Sequence, residues 1–276
     1  MIKNNIPLII DEHNDTGLQF VNLQADHLND NLNLMKKQGY KNICISSAHG
    51  WKKGKSIEFL EKLIWVKGLW IIDNEMDFSP INNLHKLEFL SINYTKVSRG
   101  KVNFKNLLRL KVLAINYVPL NIENIGELVN LRYLYFSKWP FLDLEILKNN
   151  TKLGKLIFDY AKFENLNGIE NFKHLSKLKI YSAPKLISIN QLKPISSVLK
   201  NVYFELCPKI ESYKVVDKMH NLEFFYIARS SAIHSVYFIN NLVNLRYAYI
   251  GVEVADKDIQ VLRDKSIEYK KLKTYS

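Results

Sequence analysis

Apolar residues recur along this chain at one regular spacing. The segment LVNLRYLYF at 128–136 returns as LVNLRYAYI at 242–250, and in both the first, fourth and sixth positions counted from Leu131 or Leu245 are apolar. We call the first of these positions the anchor of a repeat. The eleven anchors are Leu18, Tyr40, Val66, Leu87, Leu110, Leu131, Leu153, Leu175, Leu199, Leu222 and Leu245, which are successively 22, 26, 21, 23, 21, 22, 22, 24, 23 and 23 residues apart.

The residues three and five places after every anchor are also apolar, from Val21 and Leu23 in the first repeat to Ala248 and Ile250 in the last. Side chains alternate between the two faces of a β-strand, so a slip of one residue would put polar residues into this set. The pattern therefore predicts one short strand per repeat, with these two positions buried.

The segments before the strands have a different period. Apolar residues precede several anchors at intervals of three, as in the series Phe78, Ile81, Leu84 and Leu87. Side chains three residues apart lie on one side of a 3-10 helix. We therefore expect short 3-10 or irregular turns between the strands, and not long α-helices.

This combination of period and spacing is typical of leucine-rich repeats, whose units are about 20 to 29 residues long. The chain resembles that superfamily over nearly its whole length, and is similar to its class of roughly 22-residue repeats, found in internalins and phosphatase-regulating proteins. The resemblance implies an α/β fold: a right-handed horseshoe solenoid of about 11 repeats, with a parallel concave β-sheet and a 3-10 or irregular convex side. Those families carry asparagine eight residues after the anchor; this chain has Cys207 and mostly other residues there, so their asparagine ladder is missing.

Repeats that contact only their neighbours form one continuous domain. We therefore predict a single domain over 1–276, with repeats at 18–254 between two caps. The N-terminal cap, 1–17, contains the apolar run IPLII. The C-terminal cap, 255–276, is expected to hold a short helix at 255–264 and a polar last strand, IEYKKLKTY.

The chain is basic, with a formal net charge of +12. Such a charge favours acidic partners or nucleic acid through long-range attraction. The densest basic stretch has two interpretations, a solvated convex surface or a patch that tracks phosphates. It comprises Lys96, Arg99, Lys101, Lys105, Arg109 and Lys111.

Several features predict a cytoplasmic location. The run IPLII is too short for a secretory signal and is followed at once by the acidic DEHND, and no apolar run is long enough to span a bilayer. Cys44 and Cys207 lie seven repeats apart and are not expected to form a disulfide. The abundance of Asn, Lys, Ile and Tyr suggests an AT-rich bacterial coding sequence, and delivery into a host or rival cell stays open.

The residues two, four and six places after each anchor are expected to point away from the core, onto the concave face. This set is rich in aromatic residues, which are enriched in protein interfaces. The predicted partner-binding residues are Trp70, Phe89, Tyr133, Tyr135, Lys155, Lys177, Lys179, Tyr181, Tyr203, Glu205, Phe224, Tyr226, Tyr247 and Tyr249. The alternative interpretation is that the rings only pair across strands and stiffen the sheet. The lysines either form a centre for a partner's carboxylates or neutralise Asp159 and Glu205.

We find no assembled catalytic site in the sequence. The seven histidines are scattered, and none has a metal-binding spacing. Cys44 with His49 could form a thiolate pair, but an unreactive surface thiol is the simpler interpretation. Cys207, at the position where these families carry asparagine, is expected to be structural. We therefore predict a non-enzymatic protein that needs no cofactor and no metal.

The predicted function is protein–protein interaction through the aromatic concave face, with a partner that is acidic at its contact surface. The resemblance implies roles such as an inhibitor that covers an enzyme's active site or an adaptor, and hence an immunity-type or effector protein of a bacterium. The alternative is a nucleic-acid-binding repeat protein that uses the concave aromatics to stack bases and the basic residues to contact phosphates.

Overall fold

The computed structural model describes residues 9–13, 16–51, 54–72, 76–93, 98–116, 124–257, 259–264 and 268–269. The chain divides into two compact units, Met1–Leu131 and Arg132–Ser276. Each is built from strands of two to five residues joined by short turns. The prediction of a single domain therefore stays a prediction.

Unit 1 contains a mostly parallel sheet. Its strands are β1 (Ile9–Glu12), β2 (Gln19–Asn22), β3 (Asn42–Ser46), β4 (Gly68–Ile72), β5 (Met76–Asp77), β6 (Phe89–Asn93), β7 (Ser98–Arg99) and β8 (Val112–Asn116). Strand β1 pairs antiparallel with β2, and β2, β3, β4, β6 and β8 then pair in parallel in that order. Strands β5 and β7 form a separate two-stranded ladder.

Unit 2 has the same plan and a more regular register. Its strands are β9 (Tyr133–Ser137), β10 (Lys155–Asp159), β11 (Lys177–Tyr181), β12 (Asn201–Glu205), β13 (Phe224–Ala228), β14 (Tyr247–Gly251) and β15 (Glu268–Tyr269). All neighbours in this order pair in parallel, and from β9 to β14 every residue of a strand faces the residue at the same repeat position. Strand β15 lies within the predicted polar last strand, whose remaining residues lie outside the described part.

The third and fifth positions after each anchor are buried in both units, which confirms the predicted register. The anchors from Val66 to Leu222 are buried as well. At the ends of the series, Leu18 is exposed, whereas Tyr40 and Leu245 are half-buried. Leu18 directly follows the turn of the β1–β2 hairpin, so it does not close a turn of the repeated kind.

Most connections are 3-10 turns, as the three-residue period predicts. They lie at Ala25–His27, Ser47–His49, Glu58–Lys62, Ser79–Asn83, Phe104–Asn106, Ile125–Glu127, Glu145–Leu147, Ile169–Asn171, Asn190–Ile195, Lys214–Lys218 and Tyr237–Asn241. Between β2 and β3 the 3-10 turn continues into the α-helix α1 (Leu28–Gln38). Leu28, Leu32 and Met35 follow a helical spacing. Gly39 ends the helix at φ 80°, with the Tyr40 N–H donating to the Met35 carbonyl.

The predicted C-terminal helix is shorter than expected. The described helix α2 spans Gln260–Asp264, not 255–264. Ile233 forms a parallel bridge with Val254, and the Ala255 N–H donates to the Ile233 carbonyl. The backbone at the start of the predicted helix is therefore already bonded to the preceding repeat.

Asparagine does tie neighbouring turns together, but not at the position that the families use. Asn130, Asn221 and Asn244 each precede an anchor, and their side-chain amides donate to carbonyls of the preceding repeat, at Leu108, Ser197 and His220. These bonds pair backbone carbonyls of the turns, at exposed positions, and connect each turn to the one before it. The repeated letters NL in both LVNL segments were the signal for this role.

Candidate functional site

We call the sheet side that faces away from the core the outer face; it corresponds to the predicted concave face. In unit 1 the chain's own N-terminal part covers it. His13, directly after β1, is buried, and its ring centroid lies 4.9 Å from the rings of both Trp70 and Phe89. Phe20 completes this cluster, 4.8 Å from Phe89.

This packing corrects one predicted partner-binding residue, Phe89. Phe89 is only 2% exposed, so it cannot contact a partner in this arrangement. Trp70 is half-buried against the same cluster. The repeat spacing correctly placed Phe89 and Trp70 on the outer face. It gave no information about the N-terminal segment that packs over that face.

Cys44 lies in the same cluster and is fully buried, so the prediction of a surface thiol was wrong. Burial raises the pKa of its thiol to about 12, and the carboxylate of Asp11 adds to the rise. The imidazole of His49 instead lies 3.0 Å from an Asp11 carboxylate oxygen. The thiol is therefore protonated at neutral pH and is not activated by His49.

The outer face of unit 2 carries most of the predicted site residues in three rows that run across the strands. The row two places after the anchors holds Tyr133, Lys155, Lys177, Asn201, Phe224 and Tyr247. The row at four places holds Tyr135, Ile157, Lys179, Tyr203, Tyr226 and Tyr249, and the row at six holds Ser137, Asp159, Tyr181, Glu205, Ala228 and Gly251.

The aromatic residues of strands β12, β13 and β14 form a stacked ladder. Tyr226 stacks on Tyr203 at 4.5 Å and on Tyr249 at 4.9 Å, and Phe224 stacks on Tyr247 at 4.4 Å. Tyr203 also lies parallel to Phe224 at 5.2 Å, which joins the two rows. We call these five residues the aromatic ladder.

The ladder presents ring edges and hydroxyl groups to its surroundings. Side chains stand roughly perpendicular to a sheet, and the faces of the stacked rings lie against one another. Tyr247 is 39% exposed and the other four are half-buried. Partial burial raises the pKa of Tyr226 to about 12 and raises that of Tyr203. These phenols are therefore neutral hydrogen-bond donors at physiological pH.

The lysines of β10 and β11 lie beside the aromatic residues. The Lys179 ammonium is 4.4 Å from the centroid of the Tyr203 ring, and that of Lys155 is 4.3 Å from the Tyr133 ring. These are cation–π distances. Tyr133 is only 6% exposed, so it supports Lys155 and is not itself a contact surface, which corrects its predicted role.

Asp159 is a residue of this face that the predicted site omitted. It faces Tyr181 in the register, and Tyr181 in turn faces Glu205. Its position six places after an anchor, like that of Tyr181 and Glu205, was a sufficient signal. The row at the strand ends is thus acidic, while the two rows nearer the strand starts carry the lysines.

The basic stretch of unit 1 does not behave as one patch. The Lys111 ammonium bonds to Glu88, whose other carboxylate oxygen accepts from Lys67 at 2.8 Å. Arg99, Lys101, Lys105 and Arg109 are exposed, and Lys96 lies outside the described residues. These four exposed residues fit either predicted interpretation.

A second concavity in unit 2 has a volume of about 480 Å³ and lies between the turns 211–217 and 232–241. Its polar groups serve local structure. Asp217 accepts from the Asn241 amide at 2.6 Å, and the hydroxyls of Ser212 and Ser235 accept backbone N–H groups two residues on. The outer face is the stronger candidate because its charged and phenolic groups point outward.

Cys207 is structural, as expected. Its side chain is fully buried, its thiol donates to the Glu205 carbonyl at 3.4 Å, and its N–H donates to the Ser230 hydroxyl. Burial raises the pKa of the thiol to about 12. Within the described ranges, no three His, Cys, Asp or Glu side chains converge as metal ligands, and no helix has the length and apolarity to cross a membrane.

The strand repeat, the parallel sheet and the 3-10 turns together define a leucine-rich-repeat fold. Solved structures with this likeness include two Listeria monocytogenes proteins. Internalin C2 is 20% identical, with a TM-score of 0.51 over 71% of this chain and 76% of that one. Internalin F is 18% identical, with a TM-score of 0.51 over 80% and 84% of the two chains.

A plant ice-binding protein is also similar, 16% identical with a TM-score of 0.50 over 73% of this chain and 72% of that one. No protein-family model and no curated protein matches the sequence. Likeness at this level of identity establishes the fold alone. The function must therefore be argued from the side chains on the outer face.

Proposed function

We propose that this protein is a non-catalytic binding module that holds a partner protein against the outer face of unit 2, over the aromatic ladder. The observation that carries the proposal is the ladder itself. Five aromatic side chains on three consecutive strands form one continuous surface, and Tyr247 at its edge is 39% exposed. Tyrosine combines a large contact area with a hydrogen-bonding tip and is enriched among residues that dominate binding energy.

Sheet stabilisation alone does not account for the composition of this face. Cross-strand aromatic pairs add to sheet stability, and that interpretation applies to the ladder as well. However, all five rings are half-buried or exposed, although the core on the other side of the sheet is filled mainly by aliphatic and Phe side chains. An apolar surface left partly in water costs free energy that a partner recovers by covering it.

The ring geometry favours a protein partner over the nucleic-acid alternative. Base stacking needs free ring faces. In the ladder the centroids lie 4.4 to 5.2 Å apart, so each interior ring face is already in contact with a neighbouring ring. The strands that carry the ladder also place no lysine or arginine in their outer rows. The net charge of +12 remains the argument for nucleic acid.

The proposed biological role is that of an inhibitor or immunity-type protein, or an effector, of a bacterium, acting in the cytoplasm of its own or another cell. The resemblance in repeat length and the composition support this role. Cys44 and Cys207 are both free thiols, which fits a reducing compartment. A basic chain suits an acidic target better than a basic one.

Capture of partners from native lysate tests the proposal. Tagged wild type is compared with the Tyr226→Ala/Tyr249→Ala double variant, with and without nuclease, and the bound proteins are identified by mass spectrometry. The matched control is Tyr160→Ala/Tyr237→Ala, which removes two exposed tyrosines (50% and 68% exposed) that lie outside the ladder.

We expect a nuclease-resistant partner that binds wild type and the control but not the ladder variant. Circular dichroism and urea unfolding confirm that the ladder variant stays folded. Recovery of nucleic acid only, or of the same proteins by all three forms, would refute the proposal.

A further inference from the structure

Three lysines meet on neighbouring strands of unit 2, next to the aromatic ladder. Lys155 on β10 lies directly opposite Lys177 on β11, and Lys179 follows two residues later on the same side of β11. Like charges directly opposite one another in a sheet are destabilising. The register therefore concentrates three positive charges at one place on the outer face.

The aromatic residues fix where these charges lie. The ammonium groups of Lys179 and Lys155 sit over the rings of Tyr203 and Tyr133, at 4.4 and 4.3 Å. Contact with a ring restricts a long flexible side chain, so less conformational entropy is lost when an anion binds. Lys177 is half-buried and makes no ion pair within the described residues. The lysines are thus presented on the outer face and are not spread into solvent.

The strand ends have the opposite charge. Asp159 and Glu205 flank Tyr181 in the row six places after the anchors. Four residues of strand, about 13 Å at 3.3 Å per residue, separate that row from the row of Lys155 and Lys177. An anion on this face is attracted at the strand starts and repelled at the strand ends.

Resting on the proposed function, we infer that Lys155, Lys177 and Lys179 form a subsite for carboxylate side chains of the partner protein. The partner's apolar contacts then lie on the aromatic ladder. Repulsion by Asp159 and Glu205 keeps the partner's acidic residues away from the strand ends and near the lysines. The subsite makes the partner's contact surface acidic at one defined place and sets one orientation on the sheet. The rings of Tyr181 and Tyr203 lie 6.0 and 4.4 Å from the Lys179 ammonium, and their neutral phenols are further hydrogen-bond donors on this face.

A labelled hexaglutamate peptide is the probe for this subsite, with hexaglutamine as its neutral isostere and inorganic phosphate as a competitor. Fluorescence anisotropy is measured at about 150 mM salt, where long-range attraction is screened. The test variant is Lys177→Gln/Lys179→Gln. The matched control is Lys185→Gln/Lys209→Gln, which removes the same charge at exposed positions off the outer face.

We expect hexaglutamate to bind and hexaglutamine not to bind. The test variant should lose about tenfold in affinity while the control stays within about twofold of wild type. Equal losses in both variants would show attraction by net charge only. Failure of hexaglutamate to bind, or displacement by millimolar phosphate, would show that the site does not select carboxylates. Each of these results overturns the inference.

Glu205→Gln tests the orientation. Removing this charge should strengthen hexaglutamate binding about twofold to fivefold, because the repulsion at the strand ends falls. Unchanged or weaker binding would contradict a guiding role for the acidic row. None of these outcomes changes the partner capture by wild type and the Tyr226→Ala/Tyr249→Ala variant, so failure of the subsite and failure of the proposed function are distinguishable.

Discussion

The Tyr226 ring lies between the rings of Tyr203 and Tyr249, and the Tyr203–Tyr226 pair is nearly parallel, with centroids 4.5 Å apart and planes at 15°. The in-register pairing of strands β12, β13 and β14 produces this arrangement, because it puts the same repeat position of each strand side by side. One residue thus contributes both to the stability of unit 2 and to the surface proposed to bind.

Substitution of Tyr226 separates these two contributions. Tyr226→Ala removes two stacked pairs, each worth about 0.5 to 1.5 kcal/mol, so we expect unfolding free energy to fall by about 1 to 3 kcal/mol in urea titrations. Tyr226→Phe keeps the stacking and should stay within about 0.5 kcal/mol of wild type. Tyr237→Ala, at a 68% exposed position, is the surface control. Equal stability of the Ala and Phe variants would contradict a structural contribution from stacking.

Five residues directly after the strands of unit 2 adopt left-handed backbone conformations although none is glycine. They are Lys138, Tyr160, Ser182, Leu206 and Arg229, with φ between 48° and 62°. The backbone N–H of each donates to the carbonyl of the last strand residue in the next repeat, as that of Arg229 does to the Gly251 carbonyl. These backbone hydrogen bonds hold the five residues in the left-handed region of φ and ψ, which is strained for residues other than glycine.

Arg229 allows a test of this strain, because its side chain is exposed. Arg229→Gly should raise the unfolding free energy by about 0.5 kcal/mol, since relief of strain exceeds the entropic cost of glycine. Arg229→Val should lower it by about 1 to 2 kcal/mol, because a branched side chain fits this conformation worst. Urea unfolding monitored by circular dichroism measures both. Effects of the same sign in the two variants would argue against strain at this residue.

Glu88 predicts a pH dependence of stability in unit 1. Hydrogen bonds from Lys111 and then Lys67 lower its pKa from 4.5 to about 2. Because the carboxyl pKa is lower in the folded state than in the unfolded state, Glu88 stabilises the folded state at pH values above its unfolded pKa. That stabilisation is lost as the pH falls from about 4.5 through about 2. Because the two lysines are 44% and 47% exposed, we expect the ionised Glu88 carboxylate to contribute only about 1 kcal/mol to the unfolding free energy.

Denaturant unfolding from pH 7 to pH 2 compares wild type with Glu88→Gln. The difference in unfolding free energy should be constant above about pH 5 and shrink below it. Glu253→Gln, which changes charge equally at an exposed position in unit 2, serves as the control. If the difference in unfolding free energy between wild type and Glu88→Gln does not vary with pH, Glu88 is not the source of the pH dependence of stability.

The two thiols should be inert in the folded protein. Burial raises the pKa of both Cys44 and Cys207 to about 12, and the thiolate is the reactive form. Alkylation by iodoacetamide at pH 8, followed by mass spectrometry, should be at least about a hundredfold slower in buffer than in concentrated urea. Cys44→Ala and Cys207→Ala assign any residual signal. Rapid modification of Cys44 in buffer would mean that the N-terminal cover over unit 1 opens readily.

The strand register was predictable from single residues. The third and fifth positions after each anchor, such as Leu178 and Ile180, are apolar in every repeat, and a period of two has only one arrangement that buries them all. The 3-10 turns followed from the three-residue period for the same reason. Helix α1 was missed although Leu28, Leu32 and Met35 carried a helical spacing, because the rest of the chain suggested a uniform turn.

The candidate site was predictable as a set of positions but not as a surface. Register alone placed Tyr203, Tyr226 and Tyr249 side by side. It equally placed Phe89 on the outer face, where His13 covers it. Spacing also gave no indication that Lys179 rests on the Tyr203 ring, since that contact depends on rotamers chosen by all neighbours at once.

The sequence by itself determined the repeat, the face of each strand that is buried, and the residues available to the outer face, because these follow from local periodicity and the alternation of side chains. Only the tertiary structure decided which outer residues remain accessible. Accessibility depends on long-range packing: a cap folded back over the cluster in unit 1, rings stacked in unit 2, and the Asp159 and Glu205 row set against the lysines. Contacts between residues far apart in the chain set these features, and no spacing within one repeat encodes them.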